Sequence, residues 1–283
     1  MQVVILCGGQ GTRLRETADH LPKPMVPIGG KPILWHIMKQ CASHGFREFV
    51  LCLGYKGWEI KRWFLDYHLR ERDFTFRLGR PDQMELHAND AAEEDWLVTL
   101  AETGEHSMTG ARLKRVAPHL RGENFLFTYG DGLADVNLGE LARFHKRQGR
   151  LATVTAVRTP GRFGELNLAD ERVQAFQEKP EVTTGRINGG FFMLRREVLD
   201  RLNDDPSLVW ERGPLEQLAA EGELAAYQHD GFWQAMDTPR EHLELERLWA
   251  TGRAPWATWE SPDSTREVSP RRRRASTALK DLP

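Results

Sequence analysis

Three short runs of the chain are almost wholly apolar: residues 3–7, 49–53 and 125–129. Runs of that length without polar alternation fit strands buried on both faces. A further strand is predicted over residues 151–157. Between them the spacing changes. Leu34, Ile37, Met38 and Cys41 recur at three- and four-residue intervals, which predicts a helix over 31–44 ended by Gly45. Ile60, Trp63, Phe64 and Tyr67 predict a second helix over 58–69, and residues 138–148 form a third amphipathic pattern. Strands alternating with helices predict an α/β, Rossmann-like fold: a mixed, mainly parallel sheet flanked by helices. Such sheets bind ligands at the carboxyl ends of their strands. Residues 73–105, with polar insertions, and 161–193, rich in glycine, break the pattern and read as excursions that build a binding wall.

Charge and composition narrow the picture. The 283 residues carry 41 acidic and 39 basic side chains, for a net charge of −2. A general nucleic-acid binder needs a basic surface, so that class is disfavoured. No apolar run reaches the ~18–20 residues that cross a bilayer, and no membrane partner is expected. The opening Met-Gln-Val-Val-Ile-Leu-Cys lacks a basic segment and does not read as a signal peptide. Cys7, Cys41 and Cys52 are widely spaced and odd in number, as expected of reduced core residues in a cytoplasmic protein. Residues 261–283 differ from the rest: Arg266, Arg271 to Arg274 and Lys280 outweigh Asp263, Glu267 and Asp281, and large apolar side chains are almost absent. A single domain over 1–260 and a basic, mobile tail are expected.

The strongest chemical signal directly follows the first strand: Leu6-Cys7-Gly8-Gly9-Gln10-Gly11-Thr12-Arg13-Leu14. Glycines let backbone N–H groups approach an anion, and Arg13 adds a planar charged fork suited to phosphate. A Walker A loop would need Gly-Lys-Ser/Thr, and a dinucleotide fingerprint would need glycine in place of Leu14; neither is present. Lys23, held between Pro22 and Pro24, is a point charge on a stiff segment. Asp131, in Gly130-Asp131-Gly132, follows a buried strand and would suit Mg²⁺, which takes one or two carboxylates beside phosphate oxygens. Asp237 is the best second carboxylate, although a helix N-cap ahead of Pro239 is a strong competing reading.

Taken in order, the loop ending Thr12-Arg13-Leu14, Pro22-Lys23-Pro24, Gly130-Asp131-Gly132, Glu178-Lys179-Pro180, Asn188-Gly189-Gly190 and Asp237 resemble the sugar-phosphate nucleotidylyltransferases. Residues 31–39, 54–57, 107–116, 125–132 and 161–164 are most similar to the branch that joins CTP to α-D-glucose 1-phosphate. Cys7 stands where the family usually has alanine, and Gly132 where thymidylyl-transferring members usually have asparagine. The resemblance implies that Leu6, Gly8, Gly9, Gly11, Thr12, Arg13, Lys23 and Gly130 bind the nucleotide, with Ser107, Thr109 and Arg112 on its base side. It implies Gly164, Glu178, Lys179 and Asn188 at the sugar phosphate, Asp131 and Asp237 at Mg²⁺, and Arg13, Lys23 and Asp131 as the catalytic groups. It further implies CTP and glucose 1-phosphate as partners and a homo-oligomer. A relative using UTP or dTTP, or a non-catalytic nucleotide-sugar-binding subunit, are the competing readings. No histidine stands out; His36, on the predicted first helix, reads as structural.

Overall fold

The computed structural model describes residues 1–9, 21–87, 94–159, 165–169, 172–177 and 185–260. The first third holds β1 (Gln2–Leu6), β2 (Pro27–Ile28), β3 (Lys31–Pro32), α1 (Ile33–Ser43), β4 (Glu48–Leu53), α2 (Gly57–Leu65) and α3 (Tyr67–Glu71). Next come β5 (Phe74–Arg77), β6 (Arg80–Leu86), β7 (Leu97–Glu102), α4 (Thr109–Arg115), β8 (Asn124–Tyr129), β9 (Gly132–Ala134) and α5 (Leu138–Gln148). The remainder holds β10 (Ala152–Val157), β11 (Glu165–Ala169), β12 (Arg172–Gln177), β13 (Ile187–Arg195), α6 (Pro214–Ala220), β14 (Leu224–His229), β15 (Trp233–Ala235) and α7 (Pro239–Ala250).

Seven strands form one sheet in the order β14-β10-β13-β8-β1-β4-β7. Every pairing is parallel except the two made by β13, which runs antiparallel to both β10 and β8. The expected mixed, mainly parallel sheet is therefore present. Its strands alternate between two cores. Val3, Ile5, Phe49, Leu51, Leu126 and Met193 face α1, α5 and α7. Val4, Leu6, Val50, Phe125, Phe127 and Phe192 face Leu113 and Val116 around α4, with Trp210 and Leu218 beyond. Burial on both sides explains why the strand sequences lack polar alternation.

Two expectations change. The helix over 58–69 is broken, with α2 ending at Leu65 and α3 starting at Tyr67. The stretches 73–105 and 161–193 are not purely excursions. Each carries a two-stranded hairpin, β5–β6 and β11–β12, but each also supplies a strand of the main sheet, β7 and β13. β7 is an edge strand whose residues are mostly half-buried or exposed, so its apolar signal is weak. All three cysteines are free and buried. Burial raises the Cys7 thiol well above its ordinary range and pushes Cys52 up to about 12, as expected of inert core thiols.

The aromatic-rich ending forms a lid on the first core. Trp249, Trp256 and Trp259 surround His36 on α1. His36 Nε2–H donates to the Ile28 carbonyl at 2.8 Å, and Trp256 Nε1–H donates to His36 Nδ1 at 3.3 Å. This arrangement needs a neutral imidazole. Burial lowers its pKa to about 4, so the structural reading of His36 holds.

Candidate active site

The site lies where β1, β4 and β8 end. Leu6 and Tyr129 are register partners, and the chain leaves β1 as Cys7-Gly8-Gly9 and β8 as Gly130-Asp131. Gly130 N–H donates to the Leu6 carbonyl at 3.0 Å, which holds these two candidate segments side by side. Lys23 opens a short 3₁₀ turn, Lys23–Met25, whose Pro24 and Met25 are buried. That anchor turns the lysine side chain into the site.

Lys23 Nζ donates to Asp131 Oδ2 at 2.6 Å and to Asp237 Oδ1 at 2.5 Å. The two carboxylate oxygens therefore lie within about 5 Å of each other, although the residues are 106 apart in sequence. A short pairing explains the encounter. β9 begins one residue after Asp131, β15 ends two residues before Asp237, and Gly132 pairs with Ala235. Met236 N–H closes the pair on the Asp131 carbonyl at 2.9 Å. Asp237 is not the N-cap: Thr238 takes that role, accepting from Glu241 N–H at 3.3 Å, while Glu241 Oε2 accepts from the Asp237 and Thr238 N–H groups. The carboxylate is thus aimed by a capping box that belongs to its neighbour.

The Lys23 side chain is only 13% exposed. Burial pulls its pKa down, but the two carboxylates outweigh that and leave it raised, so the ammonium stays charged. An ammonium has three donors, and two are used here. Among the described residues the third has no hydrogen-bond partner, which leaves it able to donate to a bound anion. Among the described residues no group of three His, Cys, Asp or Glu could hold a metal ion. Two adjacent carboxylates do fit Mg²⁺, which completes its shell with water and substrate phosphate.

Arg112, expected on the base side of the nucleotide, is buried at the junction of three segments. Its guanidinium donates to the carbonyls of Leu53 at 2.9 Å, Gly104 at 2.9 Å, Glu105 at 3.1 Å and Gly8 at 3.0 Å, and to Thr103 Oγ1 at 2.9 Å. It ties the loop after β1 to the ends of β4 and β7. Gly8 and Gly54 are glycines for this reason: a Cβ on either would sit 2.1 and 2.3 Å from the guanidinium. A Cβ at Gly9, by contrast, would meet nothing within 4 Å among the described residues. Ser107 is buried, and its hydroxyl oxygen accepts a hydrogen bond from Arg115 Nη1 at 2.5 Å. Thr109 Oγ1 donates to Glu211 Oε2 at 2.7 Å. Asn188 Nδ2 donates to Tyr129 Oη at 3.2 Å.

The structure brings Leu6, Gly8, Lys23, Arg112, Gly130, Asp131 and Asp237 to one edge of the sheet. It links Thr109 and Asn188 through Tyr129 and Glu211. Gly11, Thr12, Arg13, Gly164, Glu178 and Lys179 lie outside the described residues, as does the tail 261–283. Sequence reasoning missed Tyr129, Glu211 and Glu241. Glu241 had a local signal, the capping-box spacing after Thr238. Glu211 had none, since its partners are about 80 and 100 residues away.

Glycines that follow the first strand, a largely buried lysine and two convergent carboxylates thus lie together at the carboxyl edge of an α/β sheet. The family model "Nucleotidyl transferase" matches residues 2–238, and the chain belongs to that family. Within it, the chain is 52% identical over 261 residues to the glucose-1-phosphate cytidylyltransferase of Salmonella typhimurium, covering 92% of this chain and 100% of that protein. It is 43% identical over 259 residues to the probable glucose-1-phosphate cytidylyltransferase of Bacillus subtilis, again covering 92% and 100%. Among solved structures, HddC from Yersinia pseudotuberculosis shares the fold with a TM-score of 0.60 and 21% identity, covering 88% of this chain and 99% of that one.

Proposed function

We propose that the protein transfers a cytidylyl group from CTP to α-D-glucose 1-phosphate, giving CDP-glucose and pyrophosphate. The likeness to the whole of the Salmonella enzyme supports the choice of substrates. The observation that carries the chemistry is Lys23 held between Asp131 and Asp237.

An oxygen of the sugar phosphate attacks the α-phosphorus of CTP. The new P–O bond forms as the bond to the β-phosphate oxygen breaks, and pyrophosphate leaves with that electron pair. The nucleophile is already an anion, so no general base is needed, in keeping with a site edge built from a lysine, two aspartates and backbone groups. The obstacle is repulsion between two polyanions. Fixed positive charge and alignment lower that barrier. Lys23 gives its third N–H to the reacting phosphates. Arg13 and the glycines of the same loop hold the triphosphate, and Arg112 keeps the carbonyl of Gly8 turned inward, away from the anion. Lys179, Glu178, Gly164 and Asn188 serve the sugar phosphate. Asp131 and Asp237 would hold Mg²⁺, which would supply Lewis-acid stabilisation of phosphate charge.

The protein functions as a single domain over 1–260 with a basic tail. It works in the cytoplasm, a setting supported by three buried free thiols. Among the described residues no helix is long and apolar enough to cross a membrane. It assembles as a homo-oligomer. Phe74 and Phe76, with their cross-strand partners Leu86 and Met84, leave an apolar face exposed on the β5–β6 hairpin, which supports self-association.

Pyrophosphate release measured with CTP, UTP and dTTP, each against glucose 1-phosphate, tests the reading. Release with CTP at least 10-fold faster than with the others is expected. Equal rates, or a preference for UTP or dTTP, would reject the cytidylyl assignment, and no release with any nucleotide would reject catalysis.

A further inference from the structure

Glu211 follows Trp210, a tryptophan fully buried in the second core. Its two carboxylate oxygens each take a hydroxyl: Oε2 from Thr109 at 2.7 Å and Oε1 from Tyr129 in a short hydrogen bond. Thr109 Oγ1 in turn accepts from Trp210 N–H at 2.8 Å. Among the described residues Glu211 makes no ion pair. Both contacts point the same way, each hydroxyl donating to a carboxylate oxygen. Glu211 therefore draws the Tyr129 O–H toward itself and leaves the phenol oxygen as an acceptor.

Asn188 fills that acceptor position. Its Oδ1 accepts from Gly190 N–H at 2.9 Å, and a backbone N–H can only donate, so the amide is set with Nδ2 toward Tyr129 Oη at 3.2 Å. Asn188 has two Nδ2 hydrogens, and among the described residues one is used. The other is left on an exposed residue at the start of β13, where Trp233 Nε1–H also fastens the neighbouring Gly189 carbonyl at 2.8 Å. Two donor chains thus converge on Glu211: Trp210 N–H through the Thr109 hydroxyl on one side, and Asn188 Nδ2–H through the Tyr129 hydroxyl on the other.

We propose that Glu211 is a positioning residue that makes Asn188 a fixed hydrogen-bond donor toward a sugar hydroxyl, and so sets affinity for the sugar phosphate rather than for the nucleotide. The inference rests on the reading that Asn188 meets the sugar. A donor held in place by a network loses less freedom on binding than a free amide and discriminates against a ligand without the matching acceptor. Replacing the carboxylate by an amide keeps the shape but breaks the direction, since an amide can donate as well as accept and no longer dictates where the Tyr129 proton lies.

Four variants of the full chain test it: Glu211→Gln, Tyr129→Phe, Asn188→Ala and the double variant Glu211→Gln/Asn188→Ala. Initial rates of pyrophosphate release give KM for each substrate, and thermal melting gives stability. Glu211→Gln and Tyr129→Phe are each expected to raise KM for glucose 1-phosphate by about 10-fold, the scale of one hydrogen bond, with KM for CTP within twofold of wild type. The double variant is expected to be no worse than Asn188→Ala alone, because the first change acts only through the second residue. A raised KM in Asn188→Ala with wild-type values in Glu211→Gln and Tyr129→Phe would overturn the role of Glu211 while leaving Asn188 at the sugar. So would additive effects in the double variant, or equal rises in both KM values accompanied by a loss of melting temperature. An unchanged KM in Asn188→Ala would overturn the sugar assignment itself, and the inference with it.

Discussion

Replacing Lys23 by methionine is the most direct probe of the site, because methionine keeps the apolar stem, one atom shorter, and removes the charge. In the native protein the ammonium lies between Asp131 and Asp237, whose side chains are 33% and 28% exposed, and offsets one of their two charges. Without it, two carboxylates within about 5 Å face one another. At an effective dielectric of about 20, two unit charges that close repel by roughly 3 kcal/mol. Partial exposure lets water absorb some of this, so a net loss near 2 kcal/mol is expected, or about 4–8 °C in melting temperature for a chain of this size. A divalent cation can take over the lysine's electrostatic task. Millimolar Mg²⁺ should therefore return more than half of the lost stability to Lys23→Met, while shifting wild type by less than 2 °C, because Lys23 already sits between the carboxylates and screens their mutual repulsion. Turnover should stay at least 100-fold below wild type even with Mg²⁺, since the donor proposed to meet the phosphates is gone. Melting curves with and without Mg²⁺, paired with pyrophosphate-release rates, read all three quantities. A variant that melts with wild type, ignores Mg²⁺, or turns over within threefold of wild type would refute the reasoning.

Three further outcomes are expected. Asp131→Asn should lower turnover by roughly 100-fold, the scale of one preorganised electrostatic contact, and steady-state rates at limiting Mg²⁺ check this. Gly8→Ala should drive the new methyl into the Arg112 guanidinium, 2.1 Å away, and cost about 2 kcal/mol together with most of the activity; a melting curve matching wild type would show that Arg112 yields at no cost. Stability should also fall with acid through His36. Its native pKa is about 4 against an ordinary value near 6.5, so the unfolded chain takes up the proton first. The contribution is complete above pH 6.5 and declines as the pH drops toward 4, by up to about 3 kcal/mol in all. Urea unfolding at pH 7 and pH 5 should show this loss, and a His36→Gln variant should show a shallower one.

Several features were legible in the residues alone because each is recorded within a few positions of itself. Continuous apolar runs mark strands buried on both faces, and β1, β4 and β8 follow them closely. The helix pattern of α5 matches residue for residue. Lys23, Asp131 and Asp237 were marked by their own neighbourhoods: a proline on each side, the glycines after a buried strand, and an aromatic strand-like run. What the residues alone left open was direction and company. β13 runs against its neighbours, and β7 joins the sheet from a stretch that reads as an insertion. An edge strand's weak pattern does not reveal pairing, and apolar alternation is blind to strand direction. The salt bridge at Lys23 spans separations of 108 and 214 residues and depends on a three-residue pairing of β9 with β15. Arg112 lies on the seven-residue helix α4, yet its guanidinium joins the ends of two strands and a glycine 104 residues away. Glu211 had no local mark at all. Periodicity reports burial, which is a property of each segment against solvent. Hydrogen bonds and ion pairs between distant segments exist only after packing has chosen which strand ends lie together, and in this protein those choices assemble the site.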